Sequence, residues 1–254
     1  MINLTGIYVM WLRDMKLFFR SPSRIIGQFT MPVLLIVSLG FGFSTMVLPG
    51  MPKDMSYIKF LIPGMIAMST LFTGTFMGMA VLWDRQYGFL KEIMVAPVSR
   101  LSIVIGRMLG GSTTAIFQGA VIIAFSFIFG IEMTSVLSFV LAFVFMTLIC
   151  LTFCSIGLSF ASNMKDEQGF GLIMNFLVMP LLFFSGAFFP IQNLPSAVSW
   201  LTYIDPLTYG VDGMRYAMLG ASAMPVELDL LVLSAITLVL ILLSAFFFEN
   251  SESV

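Results

Sequence analysis

The sequence has no histidine, only two cysteines and few charges: 10% of its 254 residues are Asp, Glu, Lys or Arg, where a soluble domain carries about 25%. Without imidazole there is no Ser/His triad, no HExxH zinc site, no His-ligated haem and no histidine proton relay, which removes most hydrolytic and redox chemistry. Twelve basic and 13 acidic residues leave a net charge of −1, so no surplus of cations is available for nucleic-acid phosphates. No glycine is followed by lysine. The GxxxxGK[ST] phosphate cradle is therefore missing, and ATP hydrolysis is not expected on this chain. Cys150 and Cys154 stand four apart on one helix face with no metal ligand nearby in sequence, and they read as packing residues without a redox or metal role.

Hydrocarbon is what the chain has in quantity: 59% of residues are hydrophobic, with 27 Phe and 21 Met. A charge at the centre of a membrane helix costs about 2.5 to 3.5 kcal/mol, so charge-free windows outline the spans. Six such windows predict an all-α integral membrane protein with spans at about 25–48, 60–83, 105–129, 135–162, 169–189 and 229–248. The fifth window is long enough for a hairpin, but Pro180, Ser185-Gly186, Pro190, Asn193 and Pro195 break its second half, leaving one span and a non-spanning segment. Nine basic residues fall on one side (Arg13, Lys16, Arg20, Arg24, Arg85, Lys91, Arg100, Arg107 and Lys165), and Lys53, Lys59 and Arg215 on the other. By the positive-inside rule both termini are then cytoplasmic. The Trp and Tyr residues all fall at predicted boundaries or in loops, as interfaces select. The first apolar stretch exceeds a signal-peptide core and has no cleavage site, so it is expected to remain as a span.

Three segments are not spans. Residues 1–23 place Leu4, Ile7, Trp11, Met15 and Phe18 at helical spacing, with Arg13, Lys16 and Arg20 on another face, which predicts an amphipathic interfacial helix. Residues 84–100 read DRQYGFLKEIMVAPVSR: Phe89, Leu90, Ile93 and Met94 make one helical stripe, Arg85, Lys91 and Glu92 flank it, Pro97 stops it and Ser99 can cap the next helix. This exceeds what a linker requires and suggests either a docking element or a helix floating in the interface. Residues 190–227, with four prolines and several aromatics, are too apolar for a solvated loop and too broken to span, so short helices dipping back toward the bilayer are expected. Asp212 and Arg215 can pair there at i, i+3. Gly74/Gly78, Gly106/Gly110 and Gly157/Ala161 are small-xxx-small pairs that permit close helix approach, within the chain or across a dimer.

The run from Leu61 to Gly111 resembles the signature region of type-2 ABC-exporter permeases, particularly the daunorubicin-type drug-resistance branch. Pro63-Gly64, Trp83-Asp84-Arg85, Glu92 and Pro97-Val98-Ser99-Arg100 carry the resemblance. The run from Phe188 to Arg215, with the core Asp205-Pro206-Leu207-Thr208-Tyr209, is similar to that family's outer re-entrant segment. The resemblance implies a single permease domain over 1–254, working in the cell (inner) membrane as two copies with two ABC ATPase chains. ATP and Mg would bind the ATPase, and this chain would need no cofactor, metal or catalytic residue.

The same resemblance makes 84–100 the ATPase-coupling element, with Phe89, Leu90, Ile93 and Met94 as apolar knobs and Arg85, Lys91 and Glu92 as rim charges. It implies a cavity lined by the first, second and fifth spans, where Met174, Asn175, Met179, Phe183 and Phe184 would offer a soft aromatic wall to drug-like, lipid-like or glycolipid substrates. An ion-coupled secondary transporter or a non-transporting scaffold is the alternative. The first is disfavoured because no acidic residue falls in the core of a span.

Overall fold

The computed structural model describes residues 3–43, 55–88, 99–133, 135–164 and 166–250. Among them are nine α-helices and no strand: α1 Leu4–Phe19, α2 Pro22–Gly42, α3 Tyr57–Gln86, α4 Arg100–Ser126, α5 Val136–Asn163, α6 Glu167–Phe184, α7 Ser196–Ile204, α8 Pro206–Leu219 and α9 Val226–Asn250. Six of these, α2 to α6 and α9, are long and apolar enough to cross a membrane, α4 continuing through a 3-10 turn to Phe129. Small polar residues start several of them. Asn3, Ser99, Ser135, Asp166 and Asp205 each accept a backbone N–H of the first turn of the helix they precede, satisfying donors that the helix itself leaves unpaired.

The bundle is built around α3, which is buried on nearly every turn from Tyr57 to Asp84. Glycine sets how closely its neighbours approach. A Cβ on Gly74 would stand 2.7 Å from Cys150 O, and one on Gly78 would stand 2.4 Å from the carbonyl carbon of Gly157. Gly106 and Gly110 of α4 likewise receive Met10 and Asp14 of α1. All three small-residue pairs thus serve packing inside the chain. Backbone contact at this range gives apolar helices the van der Waals surface that lipid cannot outcompete.

Helix α1 runs lengthwise along α4. The Asn3 N–H donates to Ser102 Oγ at 2.8 Å, the Trp11 indole N–H to Thr113 Oγ1 at 3.0 Å, and Phe18 meets Phe117 edge-on. Its buried face is Gly6, Met10, Asp14, Met15 and Phe18. That face is rotated from the expected one, leaving Leu4 exposed, because the glycine groove on α4 admits Met10 and Asp14. Tyr8, Val9 and Leu17 are exposed as well.

The 190–227 segment folds as a 3-10 turn, α7 and α8. Helix α8 is inserted against α5, with Gly210 under Ile149 and Gly213 under the ring of Phe145. Asp212 accepts the N–H groups of Ala223 and Met224 and lies 3.7 Å from Arg215 Nη1, the pair expected from their spacing. Arg215 donates to Gly186 O at 2.8 Å and lies 3.9 Å over the ring of Phe60. The Tyr57 hydroxyl reaches Phe188 O at 3.1 Å, and Gly64 admits the backbone of Ala187. That contact gives the Pro63-Gly64 pair a physical purpose.

Candidate coupling and translocation site

Four charges meet where α1, α3 and α4 join, Asp14, Asp84 and Arg107 buried and Arg13 partly exposed. Arg13 of α1 makes both hydrogen bonds of its guanidinium fork to Asp84 of α3, one of them at 3.0 Å. Arg107 of α4 pairs with Asp84 and lies 3.5 Å from Asp14 of α1. Two cations and two anions therefore close a network with no net charge. Burial depresses the pKa of Arg13, while Asp14 pulls it back up, but an arginine remains charged either way. Buried charges of this kind need their partners, because each ion has given up its hydration. The network fixes α1 to the last turn of α3, where the 84–100 segment begins.

Two more arginines at this end hold helix C-termini. Arg85 donates to Met164 O at 2.7 Å and to Ser162 O at 3.2 Å, closing the end of α5. Arg100 donates to Glu249 O at 2.6 Å at the end of α9. A guanidinium there satisfies carbonyls that lack a helical partner and complements the helix dipole. Arg85, expected as a rim charge, is thus engaged within the permease. Phe89, Leu90, Lys91, Glu92, Ile93 and Met94 lie outside the described residues.

A cavity of about 580 Å³ opens between α2, α3 and α4, with Phe72, Phe76 and Trp83 on its walls and Gln118 and Thr73 among its polar lining. Phe72 and Phe76 are stacked 6.5 Å apart. Their far side bounds a second cavity of about 70 Å³, which Met174 and Asn175 of α6 also line. The structure thus brings two of the five expected pathway residues to the aromatic pair. Helix α6 buries a single stripe, Phe170, Met174, Val178 and Leu182. Met179 and Phe183 are exposed, Phe183 stacking 5.5 Å from Phe188, and Phe184 is half-buried.

Sequence reading missed Asp14, Arg107, Gln118, Phe72 and Phe76. Signals for three of them were present: Arg107 stands one residue after Gly106 inside an apolar helix, Gln118 lies mid-span, and Asp14 stands seven residues after Ile7 and four before Phe18, on the apolar stripe of α1.

At the opposite end, Asp205 caps α8 by accepting the Leu207 N–H at 2.8 Å. Burial pushes its carboxyl up to about 8, against the pull of that same hydrogen bond. Burial also lowers Arg215 to about 10, although Asp212 opposes the shift.

The sequence pattern of the ABC-2 type transporter family matches residues 5–219. Nodulation protein J of Rhizobium leguminosarum bv. trifolii is 30% identical over 215 residues, covering 84% of this chain and 78% of that protein. Nodulation protein J of Rhizobium meliloti is 29% identical over 210 residues, covering 82% and 79%. The inner membrane transport permease YadH of Escherichia coli K12 is 27% identical over 220 residues, covering 85% and 83%. A match over most of the chain, joined to six apolar helices, makes this a multi-pass membrane permease subunit of the kind that pairs with an ABC ATPase, and the chain belongs to the ABC-2 type transporter family.

Proposed function

We propose that the chain forms the translocation pathway of an ATP-driven exporter, as two copies joined to two ATPase chains in the plasma (inner) membrane, with both termini cytoplasmic. The substrate is amphipathic: drug-like, lipid-like or a glycolipid. The observation that carries this reading is the aromatic pair Phe72 and Phe76, which walls the 580 Å³ cavity on one side and meets Met174 and Asn175 on the other. A volume of this order suits a small amphiphile, since ligand pockets run about 300 to 1,000 Å³.

Coupling runs through the 84–100 segment. Phe89, Leu90, Ile93 and Met94 seat in the ATPase while Lys91 and Glu92 set register, because apolar anchors carry most interface energy and rim charges mainly orient. The buried charge network then carries displacement of that segment to α1 and α4 together. Co-reconstitution with the ATPase that copurifies with the chain tests the reading. In inside-out vesicles, ATP should drive a labelled amphiphile into the lumen, and accumulation without ATP, or in the opposite direction, contradicts it.

A further inference from the structure

Gln118 occupies a position created by a proline. Pro32 lies inside α2 and has no N–H, so the carbonyl of Gln28, one turn earlier, loses its helical partner. Gln118 of α4 replaces that partner: its Nε2 donates to Gln28 O at 3.0 Å. Its Oε1 accepts from the Thr73 hydroxyl at 2.8 Å, a proton that Thr73 shares with Ser69 O. Because a carbonyl can only accept, these two partners fix which end of the amide is which. A carboxamide has two N–H donors and two acceptor lone pairs. After both bonds Gln118 retains one of each, at the cavity it lines together with Gln28, Ser69 and Thr73.

The rest of that lining is apolar or aromatic, and no charged residue lines the cavity among the described residues. The neighbouring charges, which share Gln28 and Trp83 with it through a small adjoining pocket, are two arginines and two aspartates bound to one another. They favour neither sign of ligand. We propose that this cavity binds an uncharged amphiphile, whose hydroxyl or amide group pairs with Gln118 while its apolar chain lies along Phe72 and Phe76. A hydroxyl can both give and accept a hydrogen bond and so matches what Gln118 has left. A sulfate can use only the N–H and an ammonium with hydrogens only the lone pair, and a charged head must in addition shed water without finding a counter-charge. The aromatic walls repay a cation in part, which makes a quaternary ammonium the demanding control. That the bound amphiphile is the cargo rests on the permease reading above, whereas the binding itself does not.

Trp83 on the cavity wall supplies the measurement. A Trp11→Phe/Trp200→Phe chain leaves it the sole tryptophan. In nanodiscs this chain is titrated with dodecyl maltoside, dodecyl sulfate and dodecyltrimethylammonium, each brominated near the chain end, and unbrominated maltoside is used to reverse the quenching that arises at the site. The maltoside should half-quench at roughly tenfold lower concentration than either charged amphiphile. Pro32→Ala restores a backbone N–H to Gln28, so helix α2 no longer relies on Gln118. Pro32→Ala alone should keep the preference, whereas Pro32→Ala/Gln118→Leu should reduce it to within about twofold. Equal quenching by the three head groups, or a preference that survives in the double variant, overturns the proposal. Selective quenching by a chain that associates with no ATPase supports this site and counts against the permease reading alone.

Discussion

A Cβ placed on Gly78 of α3 would stand 2.4 Å from the carbonyl carbon of Gly157 on α5. Both sides of this contact are backbone, so no side chain can rotate away to make room. Gly78→Ala should therefore force α3 and α5 apart and destabilise the fold by about 1 to 3 kcal/mol, the usual range for an overpacked core. Cys150 and Cys154 are the only cysteines and both are fully buried, so a thiol-reactive dye reports unfolding directly. The Gly78→Ala midpoint should fall. Gly27→Ala, where an added Cβ meets nothing within 4 Å, should leave it in place.

The charge network at Asp84, six residues further along α3, makes a prediction about pairs. Arg107→Met leaves Asp14 and Asp84 sharing only Arg13, and should cost about 3 to 5 kcal/mol, as breaking a buried ion pair does. Adding Asp84→Asn restores one cation to one anion. The double variant should then be more stable than Arg107→Met alone, with a coupling energy of about 1 kcal/mol or more in the cycle. Additive losses in the same dye assay would show that the four charges do not act together.

Asp205 makes stability depend on pH. Its carboxyl is raised to about 8 by burial from an ordinary value of 3.8, so the folded chain holds a proton that the unfolded chain releases. The resulting stabilisation is complete below about pH 4 and is lost as pH rises to about 8. Hydrogen exchange across α8 should therefore quicken between pH 5 and pH 8 beyond its intrinsic rise. Asp205→Asn keeps an N-cap acceptor and removes the titration, so its protection should stay flat. An unchanged pH dependence in that variant would show that another group titrates.

Much of this architecture is legible in the sequence because lipid imposes it. Charge-free windows find the six long helices, Ser99 announces the helix it caps, and Asp212 and Arg215 pair at the spacing of one turn. Contacts between distant segments are not legible. Gly106 and Gly110 reveal a close approach but do not say that Met10 and Asp14 fill it, and the face that α1 buries follows from that partner rather than from its own periodicity. Arg107 and Asp84, 23 positions apart, join only because α3 and α4 run antiparallel. Gln118 acquires its meaning from Pro32 on another helix. Met174 reaches the aromatic pair because α6 buries one stripe toward α3, with Asn175 at its exposed edge, and the same geometry turns Met179 and Phe183 outward.

The central claim is that energy released on a separate ATPase enters this chain through the segment after α3. Reconstituting Leu90→Asp and Ile93→Asp permeases with the ATPase, and measuring hydrolysis and amphiphile accumulation in the same vesicles, tests it most directly. Both variants should insert normally and unfold at the wild-type midpoint, with hydrolysis continuing while transport falls to background. Normal ATP-driven transport by either variant would contradict the account.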